Sequence, residues 1–142
     1  VTNFTTSTGA RHTRYLSAAS PESELTLTAN IIYMVNVQNT QTLIVTLPPA
    51  PQTGDVVRMI DVGGNLKYDT TLVIRTPETS GTPIQGDSTG TLFGDRLTPY
   101  PSGELVVQTP NAAFALVYLG GVDSNDQIGI PTSVQGWWLM EV

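Results

Sequence analysis

The chain has no cysteine, a single histidine and little charge: of 142 residues, 6 are Lys or Arg and 12 are Asp or Glu. Each scarcity removes a class of function. Without thiols there is no disulfide, no thiolate metal site and no cysteine nucleophile, which fits synthesis in a reducing cytosol. Six basic residues scattered through a chain of formal net charge -6 form no patch able to neutralise phosphates, so nucleic acid is not an expected partner. Long apolar runs are also missing. The longest, from Phe114 to Leu119, falls far short of the roughly 18 residues a membrane helix needs and suits a buried strand, so no membrane partner is expected. The opening Val1-Thr2-Asn3-Phe4-Thr5-Thr6 has no charged region followed by an apolar one, and no secretory signal is expected there.

What is present is β-pattern. Hydrophobic residues make up 39% of the chain against 13% charged, leaving Thr, Ser, Asn and Gln to cover the surface, and Thr packs well on a pleated sheet. The block from Ile31 to Thr76 alternates apolar runs with turn chemistry. Ile31 to Val37 and Thr42 to Leu47 are followed by the turn Pro48-Pro49-Ala50-Pro51-Gln52-Thr53-Gly54-Asp55. Val56 to Asp61, the turn Val62-Gly63-Gly64-Asn65, and Thr71 to Thr76 complete it. Further strands are expected at Leu25 to Leu27, Glu104 to Thr109, Ala113 to Leu119 and Trp137 to Val142, with short pairings around Ile84 and Leu92-Phe93. Residues 77–103 and 120–136 read as loops broken by glycine and proline.

About eight strands with turns at short intervals and no crossover helix predict an all-β fold: an antiparallel β-sandwich or jelly roll, with a closed barrel as the alternative. Residues 1–23, rich in Thr, Ser and Ala, predict an extended N-terminal arm in which Thr13-Arg14-Tyr15-Leu16 pairs as an edge strand. Residues 24–142 form the single domain. Ser20-Pro21 resembles a helix start, but the alternation at Leu25 and Leu27 turns the chain into a strand.

No residues assemble a reaction centre. Gly86-Asp87-Ser88-Thr89-Gly90 resembles the surroundings of a nucleophilic serine, yet the only histidine, His12, and the only lysine, Lys67, stand alone, and a serine nucleophile needs a positioned base. Asp87 and Ser88 are better read as turn residues. Asp61, Asp69 and the run Asp123-Ser124-Asn125-Asp126 offer oxygens without the spacing of a calcium loop. No catalytic residue, metal ligand or cofactor is therefore expected. Trp137 and Trp138 must point to opposite faces of a strand: one anchors the core and the other covers something else, either a subunit or a sugar ring. Arg58 and Arg75 lie among apolar strand residues, where they face solvent or meet acids of a neighbouring protomer. The candidate subunit contacts are Arg11, Arg14, Tyr15, Arg58, Arg75, Trp137 and Trp138.

Tyr33 with its apolar strand, Val45-Thr46-Leu47-Pro48 before Ala50-Pro51, Gly54-Asp55-Val56-Val57, Ile60-Asp61 with Gly63-Gly64-Asn65, Leu72-Val73-Ile74 and the closing Gly136-Trp137-Trp138-Leu139-Met140 resemble a β-module of tailed-bacteriophage virion proteins. The comparison is with the middle domain of T-even-type baseplate proteins that attach tail fibres, and it covers roughly residues 11–142. The resemblance implies a non-enzymatic β-sandwich homotrimer with a structural role in the baseplate or tail-fibre assembly. Its expected partners are copies of itself and other virion proteins, in a particle assembled in the host cytoplasm. The chain has neither the long N-terminal coiled coil nor the second C-terminal domain of the fibre-attachment proteins, which admits a second role, a decoration (cement) protein on a phage capsid. A carbohydrate-binding receptor module using one Trp and residues 76–103 is a third reading.

Overall fold

A computed structural model describes residues 12–17, 25–77, 82, 84–85, 103–120, 122–123, 128–129, 131 and 134–141. Among them the regular structure is strand, with no α-helix. The elements are β1 (Thr13–Ser17), β2 (Leu25–Thr26), β3 (Ile31–Asn36), β4 (Thr42–Thr46), β5 (Val56–Asp61), β6 (Thr71–Arg75), β7 (Ile84–Gln85), β8 (Glu104–Val107), β9 (Ala113–Leu119), β10 (Val122–Asp123), β11 (Ile128–Gly129) and β12 (Gly136–Glu141). The expected pairing at Leu92-Phe93 and the turn around Ser20-Pro21 lie outside the described residues. The all-β class is as the sequence predicts.

The pairing direction is not. Successive strands alternate between two sheets: β1, β3 and β5 lie side by side and parallel in one, and β2, β4 and β6 lie side by side and parallel in the other. Parallel neighbours need a long crossover, usually a helix. Here the crossover is a strand of the opposite sheet, so the chain winds as three coils with no helix. After β6 the longer strands pair antiparallel, β8 against β6, β9 against β5 and β12 against β9, while the short β7 runs parallel to β12. The sheets are thus mixed, in the orders β1-β3-β5-β9-β12-β7 and β2-β4-β6-β8, with a small β10-β11 ribbon apart. The expected purely antiparallel arrangement is corrected on this point. Period-two alternation says which side chains share a face and is silent on strand direction.

Both sheets contribute to one hydrophobic core. Tyr33, Val35, Val57, Met59, Phe114, Leu116 and Trp137 come from the larger sheet, and Leu43, Val45, Leu72, Ile74, Leu105 and Val107 from the smaller. Tyr33 is buried whole, and its hydroxyl accepts the Thr28 N–H at 2.8 Å, as a buried phenol requires. Leu16 of β1 belongs to the same core. The edge strand predicted within the arm is therefore part of the packed sheet.

Turn chemistry joins the coils. The Asp61 side chain accepts the backbone N–H groups of Gly64 (3.1 Å), Asn111 (2.9 Å) and Leu66 (3.5 Å). Asn65 Nδ2 donates to Asn36 Oδ1 and to the Val37 carbonyl. Gly63 packs so close to Asn36 that a Cβ there would overlap the amide. Gly64 and Asn111 take positive φ, 67° and 59°, which these residue types tolerate.

Candidate interaction surface

In each strand of the larger sheet, the residues alternating with the core point to its outer side. Register places them in rows: Ser17 and Asn36; Tyr15, Met34, Ile60 and Ala113; Thr13, Ile32, Arg58, Ala115 and Met140; Val56, Val117 and Trp138; and Leu119 with Gly136. A sheet face turned to water ordinarily carries polar residues. Among the described side chains this one carries eleven apolar residues, three uncharged polar ones (Thr13, Ser17 and Asn36) and one charge, Arg58, with Ala115 beside Arg58 buried at 1%. Tyr15 is 61% exposed, Met140 45% and Met34 36%, while Ile32, Ile60, Val56, Val117 and Trp138 are half-buried. Tyr15 is fixed in place by Asn36, whose Nδ2 donates to its hydroxyl at 2.8 Å.

The smaller sheet differs. Val73 and Val106 alternate with core residues and so face outward, yet they are 0% and 2% exposed. Arg75, beside them, gives its Nε to Glu104 Oε2 at 2.8 Å, and the Glu104 side chain is fully buried. The outer side of this sheet is buried within the chain over β6 and β8, while Thr26 of β2 and Thr42 of β4 stay exposed. That of the larger sheet is open around Tyr15, Met34, Arg58 and Met140.

The seven candidate contact residues separate accordingly. Tyr15, Arg58 and Trp138 share the open face. Arg14 is exposed on β1 and alternates with Tyr15, placing it on the opposite side of the strand. Trp137 is the core tryptophan, 1% exposed, with its ring centroid 5.4 Å from that of Tyr118. Arg75 is engaged by Glu104 in its own sheet. Arg11 lies outside the described residues. Trp138 turns outward, and its indole N–H is already donated to the Val134 carbonyl at 2.8 Å, leaving its ring as contact surface.

Met34, Ile60, Ile32, Met140 and Val117 were not singled out from the sequence. Their signal was there. In Ile31 to Val35 and in Val56 to Ile60 both alternating sets are apolar apart from Arg58, the pattern of a strand meant to be covered on both sides.

The chemical alternatives gain nothing from the geometry. His12 is exposed at the start of β1. No group of three or more His, Cys, Asp or Glu able to hold a metal occurs among the described residues. Asp61 is occupied by backbone donors, and Asp69 lies 4.0 Å from Lys67 as a surface pair, an arrangement worth little. Residues 86–90, with Ser88, and the side chains of residues 123–126 lie outside the described set. No helix among the described residues is long and apolar enough to cross a membrane. No family model and no curated protein matches the chain.

Proposed function

We propose that this chain is a non-enzymatic structural component of a tailed-phage virion, a β-sandwich module that works as a homotrimer in the baseplate or tail-fibre assembly. The observation that carries the assembly role is the open outer face of the larger sheet, where exposed Tyr15, Met34 and Met140 and half-buried Ile32, Ile60 and Trp138 lie around one arginine. Such a face is costly in water and is ordinarily occupied in use. The phage setting rests on the sequence resemblance. The sandwich reading is supported by the two sheets sharing one core, each with one face turned inward. Sparse charge fits the same role, because charged groups must be desolvated when neighbours cover them.

Placement is tested by immunogold electron microscopy and mass spectrometry on purified particles that carry the gene. Label on the tail end of the particle is the expected result. Label over the head surface would instead establish the capsid-decoration role, for which the same open face is equally suited. Absence of the protein from purified particles would refute a virion role of either kind.

A further inference from the structure

The register of the smaller sheet brings three turns to one end of it. Residues 38–41 lead into β4, residues 67–70 lead into β6 beside it, and residues 108–109 leave β8 on the far side of β6. Across residues 38–42, 67–71 and 108–109 every side chain is Thr, Gln or Asn except those of Lys67, Tyr68 and Asp69. Lys67 and Asp69 lie 4.0 Å apart and offset each other. What remains is neutral, polar and built around one ring, for Tyr68 is 83% exposed, more than any other large hydrophobic residue described.

Hydrogen bonds fasten these turns to one another. Lys67 and Thr70 exchange two backbone bonds of 3.1 Å, closing a turn with Tyr68 and Asp69 at its tip. Gln108 Nε2 donates to the Tyr68 carbonyl and to Thr71 Oγ1, both at 3.1 Å. From the other side Thr40 donates its N–H to Thr70 Oγ1 at 3.0 Å, and Thr71 donates its N–H to the Gln41 carbonyl at 3.0 Å. Thr40 is held at φ 64°, a left-handed conformation that β-branched residues rarely take. Strain of this kind persists only where the surroundings enforce it, and it gathers at ligand clamps. On the same turn the amides of Gln38, Asn39 and Gln41 are exposed and make no side-chain hydrogen bond among the described residues.

We propose that this end of the smaller sheet binds a neutral glycan, with the Tyr68 ring stacked on the C–H face of a sugar and the amides of the 38–41 turn pairing with its hydroxyls. A sugar ring offers an apolar face inside a rim of uncharged donors and acceptors, and a tyrosine set among Asn and Gln matches both. An anionic sugar would bring charge to turns whose one cation, Lys67, already has Asp69 beside it. A protein hot spot ordinarily has apolar neighbours around its ring, and these turns supply none. Turns already fixed spare part of the ordering cost of binding. The site is separate from the open face of the larger sheet and does not depend on the virion role. It also differs from the place the sequence suggests for a sugar, one tryptophan with residues 76–103, since Trp137 is in the core and Trp138 is on the larger sheet.

Beads carrying many copies of the full chain, attached through a C-terminal tag, are tested on an array of neutral and acidic polysaccharide fragments, and the fragments bound are titrated in solution by calorimetry. The expected result is binding to neutral fragments. Tyr68→Ala weakens it at least about tenfold, the loss of one stacked ring, while Tyr68→Phe, which keeps the ring, stays within about threefold. Gln41→Ala weakens it as well. All three variants keep the unfolding midpoint of the natural chain, because both side chains are exposed, and Trp138→Ala binds as the natural chain does. No binding to any neutral fragment, binding confined to acidic ones, or binding that Tyr68→Ala leaves intact would overturn the inference. A loss in Trp138→Ala with none in Tyr68→Ala would place the sugar on the larger sheet and overturn it equally. Presence or absence of the protein in purified particles decides the virion role separately.

Discussion

Asp61 closes β5 by taking three backbone N–H groups onto one carboxylate, two from the turn that follows it and one from Asn111, fifty positions further on. Its role as a turn residue is legible in Asp61-Val62-Gly63-Gly64, because a short acid before two glycines is turn chemistry. The bond to Asn111 is not legible, since nothing local specifies which distant turn will arrive there. The same limit separates Arg58 from Arg75. Both lie among apolar neighbours, and only the identity of the adjacent strand, β9 with Ala115 or β8 with Glu104, decides which one is paired. Replacing Asp61 by Ala leaves three donors without their acceptor, of which that of Leu66 is buried, that of Gly64 half-buried and that of Asn111 in an exposed residue. Loss of a buried partner costs about 1–3 kcal/mol for each group left unsatisfied, discounted here because Gly64 and Asn111 are partly accessible. The expected loss in urea denaturation is about 3 kcal/mol for Asp61→Ala, with Asp61→Asn falling between it and the natural chain. A loss under about 1 kcal/mol for Asp61→Ala would show that the turns hold without it.

Strand positions were readable because each apolar alternation carries its own local signal, and β5 and β9 fall on the residues the pattern indicates. Strand direction was not readable, because a parallel and an antiparallel partner ask for the same alternation. β1 shows how much an element's role depends on its surroundings. From sequence it is a fragment of a polar arm. In the fold it borders β3 and divides its side chains, with Leu16 in the core at 7% exposure and Tyr15 on the open face. The two positions are expected to separate stability from association. Leu16→Ala removes buried volume and should cost about 2–3 kcal/mol, as core leucine truncations do, while leaving association of the folded protein intact. Tyr15→Ala should cost less than about 1 kcal/mol in folding, since it loses only an exposed hydrogen bond, yet weaken self-association. Denaturation midpoints paired with sedimentation measure both. An association defect in Leu16→Ala with none in Tyr15→Ala would mean that β1 acts only as scaffold.

At the scale of the whole molecule, two sheets wound from the same coils end in different conditions: the outer side of the smaller one is buried over β6 and β8, and that of the larger carries exposed apolar residues. The composition hinted at this, since low charge with ample apolar content leaves some surface without a polar cover, but no local pattern says which sheet that surface belongs to. The winding also bears on cooperativity. Because β1 to β6 alternate between sheets, neither sheet is a continuous stretch of chain, and the core between them draws on both. One sheet cannot lose its strands without withdrawing the turns that carry the chain into the other. A small domain of this kind is expected to unfold in a single step. Two probes divide the molecule conveniently: Trp137 and Trp138 both lie in β12, so tryptophan fluorescence reports the larger sheet, whereas far-ultraviolet circular dichroism reports both. The two urea transitions should coincide in midpoint and slope. If the dichroism signal fell ahead of the fluorescence, the smaller sheet would be opening on its own, and the shared core would be too weak to bind the two sheets into one folding unit.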